Sequence, residues 1–241
     1  MPQWIAQPEL DAAGAVPAGT VVEESITSRV LGGTRRVWFY TPPGYDATED
    51  WYPVLYVLDG GNYVGRMEVP AVLDRLIARK AIEPVVAVFV EPRDRQRVLA
   101  QPAVAGVHGD RARAPRGRAL PHVSSTREAG HPGQLPVGHG AVDLAVEYPA
   151  VFGLCAALAP PAQTPTVITN QAKGQDAIQA VKFFILAGTY DSMANGGRRL
   201  RTALGMGSGA VTYLEVPEGH STETFRGHLD DALNALLSTS S

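Results

Sequence analysis

The chain has a single cysteine, Cys155, among its 241 residues. That excludes an internal disulfide framework and any zinc site built from several thiolates. Cys155 lies in the apolar run Phe152 to Leu158, where it reads as a small buried hydrophobe. No segment approaches 18 uninterrupted apolar residues, and Met1 to Thr20 lacks a basic stretch followed by an apolar one. No membrane span and no secretion signal are therefore expected, and a cytoplasmic location is the default. An excess of one charge is missing too. The formal net charge is -3, which gives no whole-chain basic field to hold nucleic acid or a membrane surface. A chain of this length can bury a sizeable core without disulfide or metal.

What is present is an alternation of short apolar runs and helical patterns. Residues 1–30 read as a surface lead-in and a first strand, with Gly32-Gly33 as a turn. Arg36 to Tyr40 is rich in β-formers and stops at Pro42-Pro43-Gly44, which cannot continue a ladder. Pro53 opens Val54 to Leu58, apolar on both faces and closed by Asp59-Gly60-Gly61, as in a buried parallel strand. Val69, Val72, Leu73, Leu76 and Ile77 follow at helical spacing, and Val85 to Val90 is the next buried strand. This order is a βαβ unit. Further on, a helix is predicted over Ala141 to Tyr148, a strand over Lys182 to Ala187 and a helix over Arg198 to Leu204. A strand over Val211 to Val216 and an amphipathic helix over Phe225 to Leu237 complete the pattern. The expected fold is α/β, a three-layer doubly wound sheet that is mostly parallel, in one domain spanning 1–241.

In such sheets functional residues stand on loops beyond the carboxyl ends of the strands. Asp191 follows one late strand, in Gly188-Thr189-Tyr190-Asp191, and His220 follows the next, in Glu218-Gly219-His220. Taken singly, the acid could cap a helix and the histidine could be a solvated loop residue. As an ordered pair on successive strand ends they match the acid-then-histidine order of α/β-hydrolases, where the acid orients the imidazole that activates a nucleophile. Gly60 and Gly61 form either a tight turn or an oxyanion-hole loop. His228 falls on the predicted C-terminal helix and is expected at the surface.

Five ordered motifs then carry a resemblance. Tyr40-Thr-Pro-Pro-Gly-Tyr45, Tyr52-Pro-Val-Leu-Tyr-Val-Leu-Asp-Gly60, Glu147-Tyr-Pro-Ala-Val-Phe-Gly153, Gly188-Thr-Tyr-Asp191 and Gly219-His220 resemble the Putative esterase family. That family includes enterochelin esterases and esterase-D-like enzymes, all α/β-hydrolases. The likeness spans 34–92 and 140–237. It implies a serine-type carboxylic-ester hydrolase acting on a small-molecule ester, with Asp191 as the acid, His220 as the base and no metal or organic cofactor. Phe225-Arg226 stands where the family commonly has Trp-Arg.

Residues 91–140 do not fit. They should carry the nucleophile strand and a Gly-x-Ser-x-Gly elbow. Instead they contain no Phe, Trp, Tyr, Ile, Met or Lys, yet hold eight Arg and four of the six His. Arg111 to Arg118 and His131 to His139 are not composed for burial in a central strand. The segment could be a basic, disordered insertion binding nucleic acid or another acidic partner, a divergent lid, or a stretch read out of frame. Reading the degenerate codons one base later distinguishes the third. Gly106 to Ala114 then permits Glu-Phe-Met-Ala-Thr-Glu-Leu-Val-Pro, Arg97 to Gln101 permits Glu-Tyr-x-x-Asn, and His131 to Leu135 permits Ile-Leu-Gly-Ser-Ser. Three ordered matches to the family in one shifted frame favour two compensating indels, near Gln96 and near His139. As written, the nucleophile's slot falls near Leu135, while Ser124 and Ser125 lack an elbow's flanking glycines and read as loop residues. The segment is expected to be disordered or misfolded, and the chain to lack turnover. The rival expectations are an inactive α/β-hydrolase that binds a ligand or acts as a scaffold, and a nucleic-acid-binding module that uses the arginine cluster.

Overall fold

Among the described residues, eight strands form one sheet. The computed structural model describes residues 14–28, 33–45, 52–91, 119–125, 137–149, 151–164, 179, 181–205 and 211–238. The strands are β1 Thr20–Ser28, β2 Gly33–Thr41, β3 Val54–Leu58, β4 Val86–Val90, β5 Ala119–Ser125, β6 Leu154–Leu158, β7 Lys182–Gly188 and β8 Val211–Val216. Their order across the sheet is β1-β2-β4-β3-β5-β6-β7-β8, with β1 antiparallel to β2 and β2 antiparallel to β4. From β4 to β8 every neighbouring pair is parallel. This is the mostly parallel α/β sheet expected.

The helices are α1 Gly60–Gly65, α2 Val69–Ala78, α3 Val137–Glu147, α4 Ala194–Gly205, α5 Thr222–Gly227 and α6 Leu229–Leu237. They cover the sheet on both faces because successive strand residues point to opposite sides. Leu55 and Val57 of β3, Phe184 and Leu186 of β7, and Leu154 and Ala156 of β6 join one core with Tyr63, Leu73, Phe225 and Leu233. Their neighbours Val54, Tyr56, Cys155, Phe183 and Ile185 join the other, against Ala145 of α3 and Leu200 of α4. Each large apolar side chain fully withdrawn from water contributes about 1.5–3 kcal/mol. Cys155 is fully buried, as its apolar setting implied.

Two expectations need correction. The expectation that 91–140 would be disordered or misfolded fails for Ala119–Ser125, which is a central strand between β3 and β6, and for 137–140, which open α3. The segment Ala-Leu-Pro-His-Val-Ser-Ser carries none of the arginines that crowd Arg111 to Arg118. Ser124 and Ser125 are thus strand residues, paired with Ala157 and Leu158. The pairing with β3 shifts register between Leu55–Leu120 and Val57–Val123. Pro121 lies inside that shift, where its missing N–H does least harm to the ladder. The second correction is at the C-terminus. The single helix expected over Phe225 to Leu237 is broken at His228 (φ -121°, ψ 17°) into α5 and α6.

Candidate active site

The parallel strands deliver their following loops to one edge of the sheet, and both expected polar residues stand there. β7 runs out at Gly188, and Thr189-Tyr190-Asp191 turns into α4. β8 runs out at Val216, and Pro217 to His220 turns into α5. The two loops are bonded to each other. Thr189 N–H donates to the Val216 carbonyl at 2.7 Å, and Tyr190 N–H to the Glu218 carbonyl at 2.9 Å.

This pairing brings Asp191 and His220 together. His220 Nδ1 lies 2.8 Å from Asp191 Oδ2. An ionised carboxylate only accepts, so Nδ1 carries the proton and Nε2 is left as the basic nitrogen. The Asp191 side chain is 1% exposed and that of His220 16%. The other carboxylate oxygen of Asp191 accepts the Met193 N–H at 2.7 Å, which fixes the acid's orientation. Phe225 packs edge-to-face on the imidazole, ring centroids 5.0 Å apart. Ser221 caps α5 by accepting the Thr224 N–H, so the histidine sits immediately before a fixed helix start.

Gly60 and Gly61 are the first two residues of α1, after Asp59 in the left-handed region (φ 64°). Gly60 faces the β4 backbone so closely that a Cβ would lie 2.7 Å from the Phe89 carbonyl carbon. The Gly61 N–H is already held by Glu91 Oε2 at 3.1 Å. A helix N-terminus is a suitable place to stabilise negative charge. In this arrangement a carboxylate from the end of β4 occupies one of its amides. Leu135 and the rest of the β5–α3 connection, 126–136, lie outside the described residues, as do 92–118.

Sequence reasoning misplaced His228. It is buried, 6% exposed, at the α5–α6 junction. Its Nδ1 lies 2.8 Å from Asp231 Oδ2 and its Nε2 3.4 Å from Glu218 Oε1. Glu218, two residues before His220, was also missed. The signals were the i,i+3 spacing of His228 and Asp231 and the adjacency of Glu218 to the histidine loop. Arg226 forms an ion pair with Glu68 at the start of α2. Among the described residues no cluster of three or more His, Cys, Asp or Glu is arranged to hold a metal ion. None of the described helices is long and apolar enough to cross a membrane.

A ferulic acid esterase of known structure superposes with a TM-score of 0.72 at 17% identity, covering 90% of this chain and 97% of that one. The feruloyl esterase module from Clostridium thermocellum, solved in complex with sinapinate, gives 0.71 at 16% identity, covering 97% and 93%. The enterobactin esterase from Shigella flexneri gives 0.72 at 20% identity. There the match covers 97% of this chain but 63% of the longer one. Among curated proteins no sequence matches. The sequence model of the Putative esterase family matches residues 28–119. Over those residues, less than half of the chain, it is similar to the Putative esterase family, and it shares its fold with these solved esterases.

Proposed function

We propose that this architecture is that of a serine-type carboxylic-ester hydrolase working through an acyl-enzyme. The match of residues 28–119 to an esterase family supports ester hydrolysis in general. The observation that carries the finer reading is the 2.8 Å contact between His220 Nδ1 and Asp191 Oδ2, made by residues on successive strand ends. His220 acts as general base towards the nucleophile and then as acid towards the leaving alkoxide. Asp191 holds the imidazole in the required tautomer and stabilises its cation. Backbone amides at the start of α1 share the oxyanion with the amide after the nucleophile, and Glu91 must release the Gly61 N–H for this. The substrate is a siderophore lactone or a short acyl ester, in keeping with the enterobactin and feruloyl esterases of the same fold.

The nucleophile belongs to the connection between β5 and α3, where such elbows stand. Residues 126–136 contain no serine or cysteine, and Leu135, at the expected slot, can neither attack nor lose a proton. We assign 91–140 to a shifted reading frame in which codon 135 permits serine. Resequencing the coding DNA tests this. Two compensating indels near codons 96 and 139 are expected. One uninterrupted frame encoding 91–140 as written would sink the assignment. It would favour the second reading, an inactive α/β-hydrolase that binds a ligand, which the missing serine itself recommends.

A further inference from the structure

We propose that His228, as an imidazolium, is a positioning residue for His220 and acts through Glu218. The proposal rests on the Asp191–His220 pair described above and extends it by one layer.

His228 sits between two carboxylates, with Asp231 Oδ2 at 2.8 Å from Nδ1 and Glu218 Oε1 at 3.4 Å from Nε2. Ionised carboxylates cannot donate, so both ring nitrogens must. A neutral imidazole has one N–H, and only the cation serves both partners. The ring is buried, which makes an unmatched charge costly and a matched one directional. The charged groups that face it are Asp231 from α6 and Glu218 from the loop after β8. The hydrogen bond to Asp231 raises the His228 pKa above its ordinary range, against the opposing cost of burial, and Glu218 adds to the rise.

Glu218 is the point where the two functional loops meet. Its carbonyl accepts the N–H of Tyr190, the residue before Asp191, and its own N–H donates to the Val216 carbonyl at 2.8 Å. His220 follows two residues later. The Glu218 backbone therefore ties the histidine loop to the acid loop, while its side chain is tethered from beneath by His228. A second link runs through α5, where Phe225 packs on the His220 ring three residues before His228. The Asp231 contact stays within the first turn of α6. The Glu218 contact is what reaches the active site.

The test uses the full chain labelled with 15N-histidine. The readout is the hydrogen-bonded Nδ1 proton of His220, assigned by its absence in His220→Gln. His228→Gln keeps an amide donor near Nε2 for Glu218, whereas His228→Asn keeps one near Nδ1 for Asp231 and gives up Glu218. The resonance is expected to persist in His228→Gln and to be lost in His228→Asn, with both variants unfolding cooperatively. Glu218→Ala, which leaves the His228–Asp231 contact intact, should reproduce the loss. In the wild type the resonance should weaken as pH rises through the raised His228 pKa, and in His228→Gln it should not. Retention in both His228→Asn and Glu218→Ala, or loss in all three variants, overturns the proposal. Absence of the resonance from the wild type overturns the Asp191–His220 pair itself, and this proposal with it.

Discussion

Gly188 and Glu218 approach so closely that a Cβ on Gly188 would stand 2.6 Å from the Glu218 carbonyl oxygen and 3.2 Å from the Asp191 Cβ. The glycine at the end of β7 is what lets the acid loop and the histidine loop lie against each other and bond. Gly188→Ala should push them apart, with a cost of about 1–3 kcal/mol as for other overpacked sites. Urea unfolding with the His220 Nδ1 proton followed in parallel checks this. Wild-type stability together with an unchanged resonance would contradict the close-approach explanation.

The N-terminal lead is anchored to α2 by a buried carboxylate. Asp74 Oδ1 accepts from the Tyr40 hydroxyl at 2.8 Å and from the Gly19 N–H at 2.8 Å. Burial is the main reason the Tyr40 pKa is driven up, with the bond to Asp74 next. Tyr40→Phe leaves the Gly19 bond but removes one partner of a buried acid, and should cost about 1–3 kcal/mol. An unchanged urea midpoint would mean that the hydroxyl contributes nothing to the anchor.

Asp143 on α3 gives the fold a pH dependence of definite sign. Its carboxyl is pushed up to about 7, first by burial and then by the Glu147 charge. A carboxyl with a folded pKa above its unfolded value binds more protons folded than unfolded. Stability therefore falls as pH rises from about 4 to about 7 and is level above that. Asp143→Asn should gain about 1–2 kcal/mol over the wild type at pH 8 and nothing at pH 4, a figure reduced for the part-exposed side chain. Equal urea midpoints at pH 8 would contradict the assignment.

Much of this was legible in the sequence because it rests on local pattern. Val54–Leu58 and Val211–Val216 are strands with the bounds that their apolar runs and flanking punctuation imply. The pairing of Asp191 with His220 could be read from the sequence because strand-end position needs only chain order. Long-range placement was not legible. Nothing local to Ala119–Ser125, with a proline inside it, indicates that β3 and β6 will accept it between them. The break at His228 escaped notice because Leu229, Leu233 and Leu236 keep helical spacing beyond it, while the carboxylate that contacts the imidazole at Nε2 comes from a loop ten residues away. The occupant of the Gly61 amide, Glu91, was equally remote in sequence.

The central claim is that Asp191 and His220 form the acid–base half of an ester hydrolase whose serine was lost from 91–140. A p-nitrophenyl acyl ester assay tests it most directly, comparing this chain, the chain with the 91–140 frame restored, and the restored chain carrying His220→Ala. The account predicts background hydrolysis by the chain as written, clear turnover once the frame is restored, and a fall of at least about 10³-fold in kcat/KM on removing the imidazole. A restored protein inert across a panel of esters, or one indifferent to His220→Ala, would contradict it.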